Sequence, residues 1–187
     1  MRYIFLTDAD LAVALKDSLR SQLVQQNTAL IAQAEREAVE WVASYLQGRY
    51  DVEAIFYAVQ DFIPGTPYTT GAQVYHEGQF YLALQNADLA DPNYPDEPTV
   101  GPWWRIADRR SALMRMHVVN VVLYRLTRRV AGQAIPAPIN DAYLDTKQWL
   151  EAVKDLSLAP NLPKPQEPEE STDNLLWGSN PALAHRF

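Results

Sequence analysis

The chain has 187 residues, with 16 lysines and arginines against 23 aspartates and glutamates, so its formal net charge is −7. This acidity excludes a general basic footprint for nucleic acid. The chain has no cysteine, which excludes disulfide scaffolds, thiolate zinc sites and cysteine nucleophiles and is typical of a protein made in a reducing cytoplasm. We expect no secretory or membrane-spanning segment, because no apolar run approaches the ~18 residues that a bilayer span needs.

The first proline-free block, before Pro64, predicts two helices. One runs from about 8 to 24, with Thr7 and Asp10 as a variant of the capping box at its start. The second runs from Asn27 to Gly48. Its apolar face comprises Ile31, Ala34, Ala38, Trp41, Val42 and Tyr45, and its acids Glu35, Glu37 and Glu40 are expected elsewhere.

The middle of the chain predicts strands. The runs 73–75 and 79–84 are rich in β-favouring residues and are separated by a short turn that contains Gly78. Four prolines between 92 and 102 then predict an irregular return to Trp103 and Trp104. We therefore expect a small β-hairpin unit inserted at 59–106.

The second proline-free block predicts the longest helix, from about 107 to 131, and a fourth helix follows to about Leu156. The segment after Ala159 is too polar to bury much apolar area, which predicts a flexible linker. The expected fold is mainly α, a four-helix core interrupted by a small β insert, with an extended C-terminal tail. The expected units are 1–58 and 107–157 for the helical core, 59–106 for the insert and 158–187 for the tail.

Charge is unevenly distributed along the chain. Residues 51–104 carry eight acids and no lysine or arginine, whereas residues 105–129 carry seven arginines and one acid, a charge of +6. Such blocks favour head-to-tail contact between copies, as in a ring. The candidates for facing another copy or DNA phosphates are Arg109, Arg110, Arg125, Arg128 and Arg129. The alternative is that arginines at a helix C-terminus favour the helix dipole and stay in solvent.

No constellation of residues predicts catalysis. The seven glycines are isolated, so no phosphate-cradling loop is formed, and no pair of histidines has metal-ligand spacing. His117 lies in an apolar helix and is expected to be a core or interface histidine. We therefore expect no enzyme activity, no metal and no cofactor.

The C-terminus departs in composition from the linker that precedes it. An apolar and aromatic peptide on a polar tether is typical of a segment that docks on a partner. The candidate docking residues are Leu175, Leu176, Trp177, His185, Arg186 and Phe187. The alternative is that this peptide folds back on its own chain.

The helical part resembles the head-to-tail connector proteins of tailed bacteriophages. The resemblance covers about two thirds of the chain, and its most recognisable phrase is Tyr-Leu-Gln-Gly-Arg-Tyr at 45–50, closing a helix. A long Arg-rich helix, Tyr143 and Trp149 with Leu150, and the aromatic and basic C-terminal peptide add to it. The resemblance implies a ring of subunits, commonly twelve, bound beneath the portal protein, extending the DNA exit channel and presenting a surface to the tail or a stopper protein. It implies assembly in the host cytoplasm, a final place in the neck of the virion, and docking of the C-terminal peptide on the portal.

The insert resembles the small chitin-binding carbohydrate modules. The match runs over about forty residues, from Tyr68 through Gly71, Val74 and Gly78 to the Ala-Leu strand end at 83–84, and closes at Trp103 or Trp104. The residues of its fold or glycan surface are Tyr68, Tyr75, Tyr81, Trp103 and Trp104. Where such modules carry exposed tryptophans after this strand, the chain has Gln85 and Asn86, so we expect the fold without strong sugar binding. The alternative function is a glycan-binding module on a helical scaffold that contacts host cell-wall polysaccharide.

Overall fold

The computed structural model describes residues 5–14, 28–57, 59–87, 89–91, 93–129 and 134–165. These ranges contain α1 Asp8–Ala14, α2 Thr28–Leu46, α3 Val52–Ile55, β1 Gln60–Asp61, β2 Gln73–His76, β3 Gln79–Ala83, β4 Trp104–Ile106, α4 Ala112–Arg129 and α5 Ala137–Lys154. The predicted four-helix connector core is therefore wrong, because the described residues form five helices and a four-stranded mixed sheet. The small β insert is present.

The five helices, called the helical module below, share one apolar core in which α2, α4 and α5 pack against one another. The core face of α2 comprises Ile31, Ala34, Ala38, Val42 and Leu46, spaced three or four residues apart, and all are at most 1% exposed. The two alanines on this face have no bulk beyond Cβ, which lets the neighbouring helices approach closely. α4 is buried around most of its circumference, which explains its unusually broad apolar stripe.

Local hydrogen bonds set the helix boundaries. At α1, the Asp10 amide donates to Thr7 Oγ1 at 3.4 Å and the Thr7 amide donates to Asp10 Oδ2 at 2.8 Å, so the predicted capping box is confirmed. α4 begins five residues later than predicted. The reason is that the Ala107 amide still donates to Phe80 O at 3.0 Å, and Ser111 Oγ accepts from the Met114 amide at 3.3 Å as the N-cap.

The phrase at 45–50 forms a corner between helices. α2 ends before Gly48, whose φ of +86° is the left-handed conformation that stops a helix. Arg49 Nη1 then donates to Val153 O at 3.1 Å, beside the C-terminus of α5. The side chain of Tyr50 is buried in the core.

The segment after α5 differs from the predicted flexible linker in its first part. The Asp51 amide donates to Pro163 O at 2.9 Å, and Leu162 is only 7% exposed within the helical core. The part of this segment at Leu162 and Pro163 therefore lies against the helical module. The rest of the predicted linker and the docking peptide, 166–187, lie outside the described residues.

The β insert is built on the predicted hairpin of β2 and β3, which is confirmed with Val74 opposite Tyr81. Glu77 and Gly78 both have positive φ, as a two-residue type I′ turn requires. β1 pairs parallel to β2, and β4 pairs antiparallel to β3. One face of the sheet covers a second small core, which comprises Phe62, Tyr68, Val74, Ala83 and Trp104.

Candidate functional site

An ion-pair cluster with a buried centre at Arg110 and Asp10, here called the junction cluster, joins the helical module to the β insert. It comprises Asp10, Asp108, Arg110 and Arg115. Arg110 Nη1 lies 2.8 Å from Asp10 Oδ2, and Arg110 Nη2 lies 2.8 Å from Asp108 Oδ2. The Arg110 side chain is only 3% exposed, and its guanidinium lies 4.1 Å from the centre of the Phe80 ring. Arg110 also donates to the carbonyl of Phe5.

The two charges at the centre of the junction cluster stabilise each other. Burial raises the pKa of Asp10, but the charge and hydrogen bonds of Arg110, together with Thr7, outweigh it and hold that pKa below its usual value. Burial lowers the pKa of Arg110, and Asp108 and Asp10 reverse this to a net increase. The guanidinium of Arg110 donates to Asp10, Asp108 and the Phe5 carbonyl. Arg110 was predicted as a candidate for facing DNA or another copy, and its burial corrects that prediction.

The other four candidate arginines lie nearer the surface. Arg125 Nη1 lies 2.9 Å from Glu37 Oε2, and Arg129 Nη2 lies 2.6 Å from Glu37 Oε1. Arg128 is exposed, forms no ion pair with the described part of the chain, and has its guanidinium 5.9 Å from the Tyr124 ring centre. Arg109 is exposed and donates to Gly71 O at 3.4 Å. Glu37 with Arg125, Arg128 and Arg129 is called the α4 arginine group below.

Most of the arginines in residues 105–129 form ion pairs within the chain. Of its seven arginines, Arg110 and Arg115 belong to the junction cluster, and Arg125 and Arg129 share Glu37. This leaves Arg105, Arg109 and Arg128 exposed without an ion pair inside the described ranges. The positive charge that residues 105–129 present at the surface is therefore smaller than the +6 counted along the sequence.

The predicted aromatic residues of the insert divide by burial. Tyr68 is 4% exposed and Trp104 is 1% exposed, because both pack in the small core. Tyr75, Tyr81 and Trp103 are half-buried, and Trp103 packs edge-to-face against Tyr94 with ring centres 5.1 Å apart. Tyr68 and Trp104 therefore form the fold, and only the other three have ring surface left for a ligand.

The positions after β3 have a structural use. Asn86 Oδ1 accepts from the Thr70 amide at 2.8 Å and from Thr70 Oγ1 at 3.1 Å. This side chain pins the loop before β2 to the loop after β3. The place where chitin-binding modules carry stacking tryptophans thus holds an amide that is committed to the loop.

A cleft of about 520 Å³ lies between the helical module and the insert. Its lining residues are Ala54, Tyr57, Val59, Gln60, Gly71, Ala72, Gln73, Arg109 and Pro163. Tyr57 donates to Gln73 Oε1 at 2.5 Å, and Gln73 Nε2 donates to Ala107 O at 2.8 Å. Burial, followed by the charge of Asp108, raises the pKa of Tyr57, so its hydroxyl stays neutral at physiological pH. These contacts tie the two parts together and leave Arg109 as the one cation in the lining.

Two buried polar residues belong to the helical core. The ring of His117 stacks on Trp149 at 4.3 Å between centres, and its Nδ1 lies 3.1 Å from Thr146 Oγ1. Burial lowers the pKa of His117 to about 4, so the ring is neutral at physiological pH, which agrees with its prediction as a core histidine. Glu35 was expected away from the core but is fully buried, and its Oε1 accepts from the amides of Phe5 and Leu6 at 2.5 and 2.6 Å.

Neither the docking peptide nor a metal site enters this geometry. The predicted docking residues Leu175, Leu176, Trp177, His185, Arg186 and Phe187 lie outside the described residues. The described ranges hold no group of three or more side chains suited to bind a metal ion. None of the helices in those ranges is long and apolar enough to cross a membrane.

Comparisons with known proteins add no relative. No protein-family model matches the sequence, and no curated protein or solved structure is significantly similar to it. The two resemblances therefore rest on the residues quoted for them.

Proposed function

We propose that this chain is a structural virion protein of a tailed bacteriophage, a connector subunit between head and tail. Copies of it form a ring, dodecameric by the resemblance, beneath the portal protein. The ring extends the DNA exit channel and offers the attachment surface for the tail or its stopper protein. DNA passes through it without sequence-specific contact.

The observation that carries this proposal is the corner at 45–50. The phrase most typical of the connector family is also the place where the chain ties α2 to the end of α5 through Arg49. Arg49 Nη1 also lies 3.4 Å from Leu158 O, so the same side chain holds the segment that follows α5. That segment leads toward the C-terminal peptide, which we propose docks on the portal.

The charge that is left at the surface supports contact between copies. Exposed acids of the insert include Glu77, Asp96 and Glu97, and the exposed arginines outside the α4 arginine group that form no ion pair in the described ranges are Arg105 and Arg109. Opposite charges on different parts of one chain suit a heterologous contact that repeats around a ring.

Removal of the docking peptide tests the role of the C-terminus. We expect a chain truncated after Asp173 to keep its helical circular dichroism and its solubility but to lose co-sedimentation with purified portal rings. A truncated chain that becomes insoluble as a monomer would instead support the fold-back alternative. Retained portal binding would contradict docking through this peptide.

The half-buried aromatic rings Trp103, Tyr94 and Tyr81 favour a second candidate, in which the insert contacts cell-wall glycan. Aromatic ring faces are the usual platform for sugar rings. A pull-down of the full chain on chitin and on peptidoglycan tests it, with Trp103→Ala as the variant and Leu84→Ala as an exposed apolar control. Retention that Trp103→Ala abolishes would support this second function, and absence of retention by the wild-type chain would contradict it.

A further inference from the structure

The α4 arginine group places three arginines and one glutamate along one surface cleft, and two of the guanidinium groups contact the carboxylate. Arg125, Arg128 and Arg129 lie three and four residues apart, which places them along one side of the end of α4. Glu37 of α2 accepts from Arg125 Nη1 at 2.9 Å and from Arg129 Nη2 at 2.6 Å. The three arginines and one glutamate have a net charge of +2.

The four side chains line a cleft of about 250 Å³, and every lining residue is charged. A protein segment that docks in a groove normally needs an apolar or aromatic anchor to displace water. This cleft offers none. Phosphate oxygens need only charge and N–H donors, and the planar guanidinium matches them in two-point contacts. The lining therefore favours an anionic group such as a phosphate over a peptide that binds through an apolar anchor.

Glu37 limits how strongly the arginines can act on such a ligand. Its two carboxylate oxygens occupy one guanidinium each, and both arginine side chains are about a third exposed, at 31% and 33%. Slight burial raises the pKa of Glu37, but the hydrogen bonds and charges of Arg129 and Arg125 outweigh it and lower that pKa. Glu37 thus stays ionised at neutral pH and remains a competitor for any incoming anion.

We propose that the α4 arginine group is a contact site for the phosphodiester backbone of duplex DNA and that Glu37 weakens this contact. The proposal rests on the proposed function, in which DNA passes through a ring of this protein. A masked arginine cluster attracts DNA without holding it, as a channel for moving DNA requires. Loss of the Glu37 charge frees two more guanidinium groups for phosphate.

The test is the salt dependence of DNA binding by the purified full chain. Fluorescence anisotropy of a labelled random-sequence duplex is measured between about 50 and 200 mM salt. Each phosphate contact adds about −0.9 to the slope of log K against log salt. We expect Glu37→Gln to bind more tightly at low salt than the wild type and to steepen this slope by about 1 to 2. Arg128→Gln is expected to weaken binding and to make the slope shallower.

The chain offers matched controls for both charge changes. Glu40→Gln removes the same charge from the same helix, one turn away, where the carboxylate is exposed and forms no ion pair in the described ranges. Arg36→Gln removes an exposed arginine outside the group. Circular dichroism confirms that each variant is folded. Equal effects of Glu37→Gln and Glu40→Gln, or of Arg128→Gln and Arg36→Gln, would reduce the result to net charge and overturn the proposal.

Two further measurements separate the possible sources of failure. The first is competition by inorganic phosphate at matched ionic strength. If phosphate competes and Glu37→Gln does not change the slope of log K for DNA against log salt, the site binds small anions and the assignment to DNA is overturned. Ring formation on the portal is scored separately by electron microscopy of the same variants. If a ring forms but Glu37→Gln does not change DNA binding, only the proposal for the α4 arginine group is contradicted. If Glu37→Gln tightens DNA binding but no ring forms, only the proposed connector function is contradicted.

Discussion

The junction cluster and the α4 arginine group use the same chemistry in opposite surroundings. In the junction cluster, the side chains of Arg110 and Asp10 are 3% and 8% exposed. In the α4 arginine group, the side chains of Arg125 and Glu37 are 31% and 32% exposed. When one partner of a buried pair is removed, the other charge stays buried without a partner or water, which destabilises the fold. In the half-exposed pair, water can replace the missing partner. Because Arg110 and Asp10 are buried, the junction cluster is a stabilising contact within the fold, called the clasp below. The half-exposed α4 arginine group is open to a ligand.

Removal of Arg110 should break the clasp. Arg110→Ala leaves Asp10 and Asp108 with Arg115 as their remaining cationic partner and leaves the Phe5 carbonyl without its donor. We expect the free energy of unfolding to fall by about 3–5 kcal/mol, the range for loss of a buried ion-pair partner. Denaturant unfolding measures it, with Arg109→Ala as the neighbouring exposed control, for which a change below about 1 kcal/mol is expected. Similar losses for the two variants would contradict the buried clasp.

Glu35 is a second buried carboxylate, and its hydrogen bonds hold the segment at Phe5 and Leu6 against α2. Glu35→Ala leaves the amides of Phe5 and Leu6 without their acceptor. We expect a loss of about 3–4 kcal/mol in the free energy of unfolding. Glu35→Gln keeps a side-chain oxygen as acceptor and should lose less. Equal losses from the two substitutions would show that the acceptor is not what stabilises this contact.

His117 should make stability depend on pH inside the helical core. Its pKa is about 4 in the folded protein and about 6.5 when unfolded, so the unfolded chain binds the proton first. Its stabilising contribution is complete above about pH 6.5 and is lost as the pH falls toward about 4, by about 3 kcal/mol in total. Asp10, whose pKa is lowered, adds its own loss only at more acidic pH.

The comparison variant for this prediction is His117→Asn, which keeps an amide near Thr146 but does not titrate. The variant is expected to be less stable at neutral pH. Its stability should change about 3 kcal/mol less than that of the wild type between about pH 6.5 and 4. Parallel pH curves for the two proteins would show that His117 is not the titrating group.

Glu37→Gln should have the smallest effect on stability and so completes the comparison with the junction cluster. Exposed and half-exposed pairs contribute little to folding, so we expect a change below about 1 kcal/mol in the free energy of unfolding. Denaturant unfolding beside Glu40→Gln measures it. A loss comparable to that of Arg110→Ala would mean that the α4 arginine group is a second clasp.

The sequence predicted those elements whose signal is local. Apolar spacing identified α2, α4 and α5, and the glycine turn identified the hairpin of β2 and β3. β1 and β4 were missed because two and three residues are too few to show a period. The predicted start of α4 was too early in the chain, because the residues before Ala112 continue the sheet and then cap the helix.

The burial of charged residues could not be predicted, because it depends on partners far away in the chain. Arg110 meets Asp10 across 100 residues, and Glu35 meets the Phe5 amide across 30. Along the sequence, Arg110 looks like one of a row of surface arginines. The same row contains Arg128, which is at the surface. Only the tertiary contacts distinguish the arginine of the clasp from those of the candidate site.

The most direct test of the proposed function is the position and copy number of this protein in the virion. Electron microscopy of particles carrying a labelled chain, with symmetry-free averaging of the neck, measures both. The account predicts one ring of subunits between the portal and the tail. A location at the distal end of the tail, or a protein absent from the particle, would contradict it.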